Sequence, residues 1–333
     1  MDNFPINETF PPIPETKPLA VERDRRQSRI GHYWALLVLI SFLFGNASGF
    51  WVNESRHAGQ EADKLAHEAQ SESEMAHLAS QVNPPQGYQV QATFGELGPK
   101  LLAAGAMNYD VFLQVYEQAG APLTEKQVAI LTQDSHEQIV IDTENAYFLL
   151  NFFWALGLTN HNPILTEGPM VTNSQGQVEN YASTGGWSIA AKPISELYAS
   201  AEILSLTPAQ QEHLDHVVQN VFRPCCNNPT HFPDCNHGMA MLGLLTLMVS
   251  QGASEDEMFE AAKYANAFWY PNQTMEVAIY FKAALDIDFK DADARQVVSR
   301  AMSSGSGFQA VHEWLASNSL LQQGPSGGSS CGV

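Results

Sequence analysis

Basic residues are scarce in this 333-residue sequence, which contains 16 Lys and Arg against 36 Asp and Glu. The first 52 residues hold five of each sign, so the whole net charge of −20 falls on the rest of the chain. Such an acidic chain repels phosphate backbones, and its scattered Lys and Arg form no basic patch. Nucleic acid is therefore excluded as a partner.

Charged residues of both signs make up only 16% of the chain, whereas 44% of it is hydrophobic. A disordered polyelectrolyte is therefore excluded, and the chain can bury one large core or two smaller ones. Motifs of the large enzyme classes are also missing, because the sequence has no Gly-x-Ser-x-Gly, no phosphate-binding loop and no His-Glu-x-x-His. Motifs thus assign no reaction, and whether the protein is an enzyme stays open.

The N-terminal region predicts a single-pass membrane anchor. Residues 1–32 are rich in proline and end in an arginine cluster, which predicts a disordered cytoplasmic tail. Residues 33–52 carry no formal charge, and as a helix they would span about 30 Å, enough to cross a bilayer. Because the arginines precede this signal anchor, the main domain is expected to be extracytoplasmic. A cleaved signal peptide is the alternative, since residues 46–49 are small enough for a signal peptidase.

Residues 53–87 predict a helical stalk or linker. Seven positions in this segment recur at alternating steps of four and three, which is the spacing of a helical seam. These positions are Ala58, Ala62, Leu65, Ala69, Glu72, Ala76 and Ala79. Since alanine buries little surface, a solvated spacer is one interpretation, and a stalk that makes the protein a homodimer is the other.

Residues 88–323 predict an all-α, bundle-like domain, because apolar residues recur there at helical spacing between short connections. The segment 145–158 is apolar nearly all round and predicts the central buried helix. Residues 159–192 are rich in Asn, Gly, Pro, Ser and Thr and predict an irregular loop with one short hairpin. The predicted helices span residues 97–104, 109–119, 124–132, 143–156, 194–204, 208–222, 238–249, 255–269, 274–285, 292–302 and 308–321.

Three of the four cysteines lie close together in a Cys/His loop, residues 223–241, between two predicted helices. Its spacing matches neither a standard zinc finger nor the Cys-x-x-Cys-His motif of c-type haem. Thiolate and imidazole groups are nevertheless good ligands for soft metal ions, and three prolines restrict the loop backbone. We therefore predict a site for copper or zinc. Its candidate ligands are Cys225, Cys226, His231, Cys235 and His237.

Two methionines follow this loop and are possible additional ligands. The thioethers of Met239 and Met241 favour copper over zinc, although both residues also fit the apolar side of a core helix. The fourth cysteine, Cys331, is a further possible ligand, because it lies in a flexible Gly/Ser tail, residues 324–333, from which a mobile thiol could reach the domain surface. An ordinary flexible terminus is the simpler interpretation of this tail.

The sequence therefore favours a membrane-anchored, extracytoplasmic protein that binds a soft metal ion for metal handling or delivery. Two alternatives use the same cysteines. In the first, Cys225 or Cys226 forms a redox-active disulfide with Cys235, and Cys331 exchanges with it. In the second, the protein is an anchored helical interaction module, and its cysteines form only a structural disulfide. The expected partners are the membrane and a protein that exchanges metal or thiols.

Overall fold

The structure, a computed structural model, describes residues 70–321, and this part of the chain is mostly helical. From Glu74 onward it forms one compact unit. Its helices are, in chain order, α1 (residues 70–82), α2 (Leu97–Ala104), α3 (Tyr109–Gln118), α4 (Glu125–Thr132), α5 (Ala146–Thr159), α6 (Pro163–Thr166), α7 (Pro169–Ser174), α8 (Ala182–Gly185), α9 (Ile194–Leu197), α10 (Pro208–Asn220), α11 (Asn236–Ser250), α12 (Glu255–Trp269), α13 (Pro271–Leu285), α14 (Ala294–Val297), α15 (Arg300–Ser303) and α16 (Gly305–Ser317).

Two helices that are buried on nearly every side, α5 and α11, pack against each other in the main core. Glycines let their backbones approach closely. A Cβ added at Gly157 would lie 2.1 Å from the Met239 carbonyl oxygen, and one at Gly243 would lie 2.2 Å from the Phe153 carbonyl oxygen. This contact confirms the predicted central helix and fixes the position of α11, whose N-terminus carries the site described below.

A two-stranded antiparallel sheet corrects the all-α prediction. Strands β1 (Tyr88–Gly95) and β2 (Ser135–Ile141) pair with Tyr88 opposite Ile141. Alternate side chains of β1 enter the main core, and Phe94 packs edge-to-face against Phe152 of α5. The all-α prediction is therefore right for most of the described chain, but it omits this two-stranded sheet.

Three segments that were predicted from the sequence take other conformations. Residues 159–192 contain α6, α7, a 3₁₀ turn at Val178–Asn180 and α8 in place of a hairpin. The helix predicted at 194–204 ends with α9, because the chain after it turns back and Ala201 donates a backbone hydrogen bond to Thr159. The helix predicted at 292–302 is split into α14 and α15, and between them the Val298 carbonyl accepts a hydrogen bond from Phe222.

The end of the predicted stalk packs onto the domain. Leu78 and Val82 of α1 are buried in a second core cluster with residues of α13 and α16, whereas Ala76 and Ala79 of the predicted seam are exposed. The tail at 1–32, the anchor at 33–52 and the C-terminal segment 324–333 lie outside the described residues. Among residues 70–321, no helix is both long enough and apolar enough to cross a membrane.

Candidate thiol site

Three cysteine sulfur atoms converge where the loop after α10 meets the start of α11. The Sγ atoms of Cys225, Cys226 and Cys235 all lie within 4.8 Å of one another, and those of Cys225 and Cys235 are 3.5 Å apart. All three are free thiols, and Cys225 is the most exposed of them. We call these three residues the thiol site.

The loop backbone is fixed by hydrogen bonds to several elements, although it has little regular structure of its own. Thr230 and His231 donate to carbonyls at the end of α10, each at 2.8 Å. On the other side, the Cys226 carbonyl accepts a 2.7 Å hydrogen bond from Gly305, the first residue of α16. These bonds fix the backbone of the loop that carries Cys225 and Cys226.

Cys235 caps the N-terminus of α11. Its sulfur accepts a hydrogen bond from the backbone amide of Gly238 at 3.4 Å, which satisfies one of the free amides of the first helical turn. The side chain of Arg223 reaches the same sulfur, and its Nε donates a hydrogen bond of 2.9 Å. Both donors favour the negatively charged form of Cys235.

Arg223 is a fully buried cation beside the thiol site, with 1% of its surface exposed. Besides Cys235, its guanidinium donates to the carbonyls of Asn228 at 3.0 Å and Phe232 at 3.2 Å. It also forms a 2.8 Å ion pair with Asp234. The side chain thus ties the two ends of the loop together.

Gly238 leaves room for this guanidinium. A Cβ at Gly238 would lie 2.5 Å from the Cζ atom of Arg223, which is too close for any side chain. Because the guanidinium is held by several hydrogen bonds, it has little freedom to move away. Gly238 is therefore required for the close packing of Arg223 against α11.

The three thiols of the site differ in the direction of their pKa shifts. Hydrogen bonds from Cys225 and Cys226 hold the pKa of Cys235 well below its ordinary value, and Arg223 lowers it further. The pKa of Cys225 is raised, mainly by its hydrogen bonds with Cys226 and Cys235 and then by burial. The site thus favours one thiolate, at Cys235, beside two protonated thiols.

The histidines predicted as ligands lie outside this group of sulfur atoms. His237 is 9% exposed, and its Nδ1 forms a 2.8 Å hydrogen bond with the side chain of Asn236. Burial lowers the pKa of His237 to about 4, so its ring is neutral at pH 7. Burial also lowers the pKa of His231, whose nearby charge is Asp215. Within residues 70–321, cysteines alone form the group of possible metal ligands.

The two methionines predicted as possible additional ligands are part of the hydrophobic core. Met239 and Met241 are buried in the main core along α11, so the apolar interpretation of both residues fits the structure. Cys331 lies outside the described residues.

Sequence reasoning missed two residues beside the thiol site, Arg223 and Tyr270. Arg223 directly precedes Pro224 and Cys225, so a charge at the edge of the cysteine cluster was visible as a signal. Tyr270 lies between α12 and α13, far from the loop in sequence, and its hydroxyl is buried near Cys225 and Cys235. Only the fold brings it there, and no local pattern could have indicated it.

Chemically, three converging sulfur atoms can hold a metal ion or act as a thiol site. The Cys235 thiolate can act as a metal ligand or as a nucleophile. Cys225 is exposed, so either a metal ion or a partner's thiol can reach the site from solvent. The chain matches no protein-family model, no curated protein and no solved structure. The assignment of a function therefore depends on this geometry.

Proposed function

We propose that the protein binds a soft metal ion at the thiol site and that monovalent copper is the preferred ion. The observation that carries this proposal is the approach of three Sγ atoms to within 4.8 Å of one another, with cysteines alone in the group. Thiolate ligands select Cu(I), whereas closed zinc sites usually have four ligands. Zinc would need a fourth ligand, such as water, at the exposed side of Cys225.

The surroundings of the site support a thiolate-bound cation. Monovalent copper with three thiolates leaves two negative charges, and the buried guanidinium of Arg223, which donates a hydrogen bond to the Cys235 sulfur, lies beside them. His237 is neutral at pH 7, so it adds no charge to the site. The low pKa of Cys235 provides one ligand that is already deprotonated, and binding would displace the protons of the other two.

Differences in exposure among the thiols support a role in metal handling or delivery. Cys225 is exposed, whereas Cys226 and Cys235 are less accessible. An ion could therefore be exchanged with a partner's thiol through Cys225 while the other two sulfur atoms hold it. We further propose that residues 33–52 anchor this domain on the extracytoplasmic side of a membrane, with a cleaved signal peptide as the alternative.

The test is copper binding by the reduced, full-length protein in competition with a chromophoric Cu(I) chelator. We expect one Cu(I) per chain, and Cys235→Ser should abolish this stoichiometric binding. His213→Gln, on the exposed side of α10, is the control and should bind like the parent. The same titration with Zn²⁺ decides between the two metals. Equal losses in Cys235→Ser and His213→Gln, or no binding by the parent, would refute a metal function at this site.

A dithiol oxidoreductase is the second candidate, and the 3.5 Å separation between the sulfur atoms of Cys225 and Cys235 favours it. The exposed Cys225 would lose its proton and attack a partner's disulfide, which forms a mixed disulfide and releases one partner thiolate. The Cys235 thiolate would then attack the Cys225 sulfur and release the partner's second thiolate. Equilibration in glutathione redox buffers, followed by mass analysis of the alkylated thiols, tests this candidate. It predicts a reversible disulfide between Cys225 and Cys235 and no stoichiometric copper. A disulfide that resists reduction, again without copper, would support the structural interpretation.

A further inference from the structure

The loop that carries Cys225 and Cys226 has no charged residue between Arg223 and Asp234. Arg223 is 1% exposed and forms a 2.8 Å ion pair with Asp234, so these two opposite charges compensate each other. The exposed thiol of Cys225 therefore meets solvent in a part of the loop that carries no charge of its own.

The start of α16, which contacts this loop, is also without charge. The amide of Gly305 donates to the Cys226 carbonyl at 2.7 Å, and the amide of Ser306 donates to the Asn227 side chain at the same distance. Residues 301–312 contain no Asp, Glu, Lys or Arg, although 16% of the chain is charged. A second uncharged segment thus lies against the thiol site.

The junction between α12 and α13 contacts the thiol site from another element. The side chain of Asn266 donates to the Phe222 carbonyl at 2.9 Å, and the ring of Tyr270 packs against His237 with 4.4 Å between ring centroids. Residues 264–275 also contain no Asp, Glu, Lys or Arg. Three segments that are separate in the sequence therefore bring uncharged residues to the same site.

We call the exposed residues closest to these contacts the neutral surface. They are Cys225, Asn227, Pro271, Asn272 and Ser306. Burial does not explain the absence of charge at these positions, because exposed positions are where charged side chains are normally found. Charges return directly outside the uncharged segments, at the exposed Arg300 and Glu313 and the half-buried Glu276. An uncharged centre thus has charged residues at its margins.

Passing a metal ion from one thiol to another requires two proteins to touch around the ion. The incoming sulfur bonds to Cu(I) as the bond to Cys225 breaks. The incoming thiol gives up a proton and the released Cys225 takes one up, so copper stays monovalent and charge is conserved. A charged side chain inside such a contact would lose its hydration, and the centres of protein interfaces are depleted of charge. The neutral surface suits a contact of this kind.

We propose that the neutral surface is the docking surface for a copper-exchange partner whose cysteines lie in an uncharged loop flanked by basic residues. This inference rests on the proposed function. The basic flanks follow from complementarity, because the chain has a net charge of −20 and Glu276 and Glu313 directly follow two of the uncharged segments. A second copy of the chain would bring the same negative charge, which disfavours self-association through this surface.

The test measures Cu(I) transfer from the loaded, full-length protein to two capped dicysteine peptides of identical composition. One peptide has its lysines at both ends, and the other has them beside the cysteines. Both carry the same net charge, so the acidic protein attracts them equally at long range. Each rate is divided by the rate of transfer from a small Cu(I) chelator to the same peptide, which removes intrinsic differences between the peptides. We expect normalised transfer to be about 5-fold faster to the peptide with terminal lysines.

Two variants show whether the neutral surface causes this difference. Ser306→Glu adds a carboxylate to the neutral surface in the first turn of α16, where an acidic residue is favourable for the helix. This carboxylate can pair with lysines beside the cysteines, so the two normalised rates should come within about 2-fold of each other. Gln118→Glu, at the exposed end of α3, adds the same charge outside the contacting segments and should keep the difference of about 5-fold.

The possible outcomes separate this inference from the proposed function. If the parent binds no Cu(I), the proposed function fails, and the docking surface fails with it. If the loaded parent transfers copper equally well to both peptides, or if the two variants respond alike, only the docking surface is overturned. Sedimentation of the loaded parent as a dimer that Ser306→Glu dissociates would assign the neutral surface to a second copy, and this would also overturn the proposed partner.

Discussion

Arg223 shows how a charge can be buried beside the thiol site. An unpaired ion in a protein interior loses several kcal/mol of hydration, but here the guanidinium meets a thiolate, a carboxylate and two carbonyls. The planar fork of arginine can direct separate N–H groups at these four acceptors, which the compact ammonium group of lysine cannot do. Lysine at this position would therefore leave loop acceptors unpaired.

His237 should make the protein sensitive to acid. Its pKa is about 4 when folded and about 6.5 when unfolded, so between these values the unfolded chain binds more protons. The free energy of unfolding should therefore fall as pH decreases through this window, and above pH 6.5 this contribution is constant. Denaturant unfolding at pH 7 and pH 4.5 should show a loss that is about 2 kcal/mol smaller in His237→Gln than in the parent.

The control for this experiment is His213→Gln, which removes an exposed histidine and should lose as much stability as the parent. A control variant is needed because Asp and Glu side chains also titrate between pH 4.5 and pH 7 and add to the pH dependence of every variant. Equal pH dependence in His237→Gln and the parent would contradict the buried, neutral state of His237.

Sequence spacing predicted which cysteines lie together, but it wrongly placed two histidines, His231 and His237, with them. Cys225, Cys226 and Cys235 flank a short proline-containing loop, so their approach could be anticipated from the sequence. His237 is two residues after Cys235 at a helix start, and side chains two apart on a helix do not face each other. His231 has its backbone amide bonded to the Val218 carbonyl near the end of α10, and its imidazole is not part of the sulfur group. These directions depend on backbone geometry, which spacing alone does not provide.

The contact between α5 and α11 should tolerate no side chain larger than hydrogen at Gly157. An alanine Cβ there would lie 2.1 Å from a backbone carbonyl of α11, which cannot rotate away as a side chain can. We expect Gly157→Ala to lower the free energy of unfolding by about 3 kcal/mol, the upper end of the usual range for overpacking. Gln219→Ala, on the exposed side of α10, is the control and should change stability by less than about 0.5 kcal/mol. A loss of similar size in both variants would argue against close packing at this contact.

Elements whose signal is local were predicted better than those that depend on distant partners. The apolar run of α5 is sufficient to indicate a buried helix, because no polar face is available for solvent. In β1, the buried Val90, Ala92 and Phe94 alternate with other residues, as expected for a strand. This short alternation has no adjacent partner, since β2 follows only after three helices. The pairing is long-range and therefore not visible in a local pattern.

At the scale of the whole molecule, the net charge of −20 should make stability depend on salt. Self-repulsion disfavours the folded state, and salt screens it over a Debye length of about 10 Å at 0.1 M. Ion pairs oppose this trend only weakly, because pairs such as Lys126–Glu137 are exposed. We expect the free energy of unfolding to rise by about 1 kcal/mol between 20 and 200 mM NaCl, measured by chemical denaturation. A constant or falling value would mean that local ion pairs outweigh the net charge.

The hydrogen bonds of the thiol loop come from elements that are far apart in the sequence. Carbonyls of α10 hold Thr230 and His231, the first residue of α16 holds Cys226, and Asn266 of α12 holds Phe222 at the start of the loop. Opening of the whole loop must therefore break contacts with three helices at once. The half-buried Cys235 sulfur is held in this loop by hydrogen bonds from Arg223 and Gly238. We expect an alkylating reagent to modify Cys235 slowly in the metal-free protein, and more slowly still once the proposed metal ion covers the sulfur.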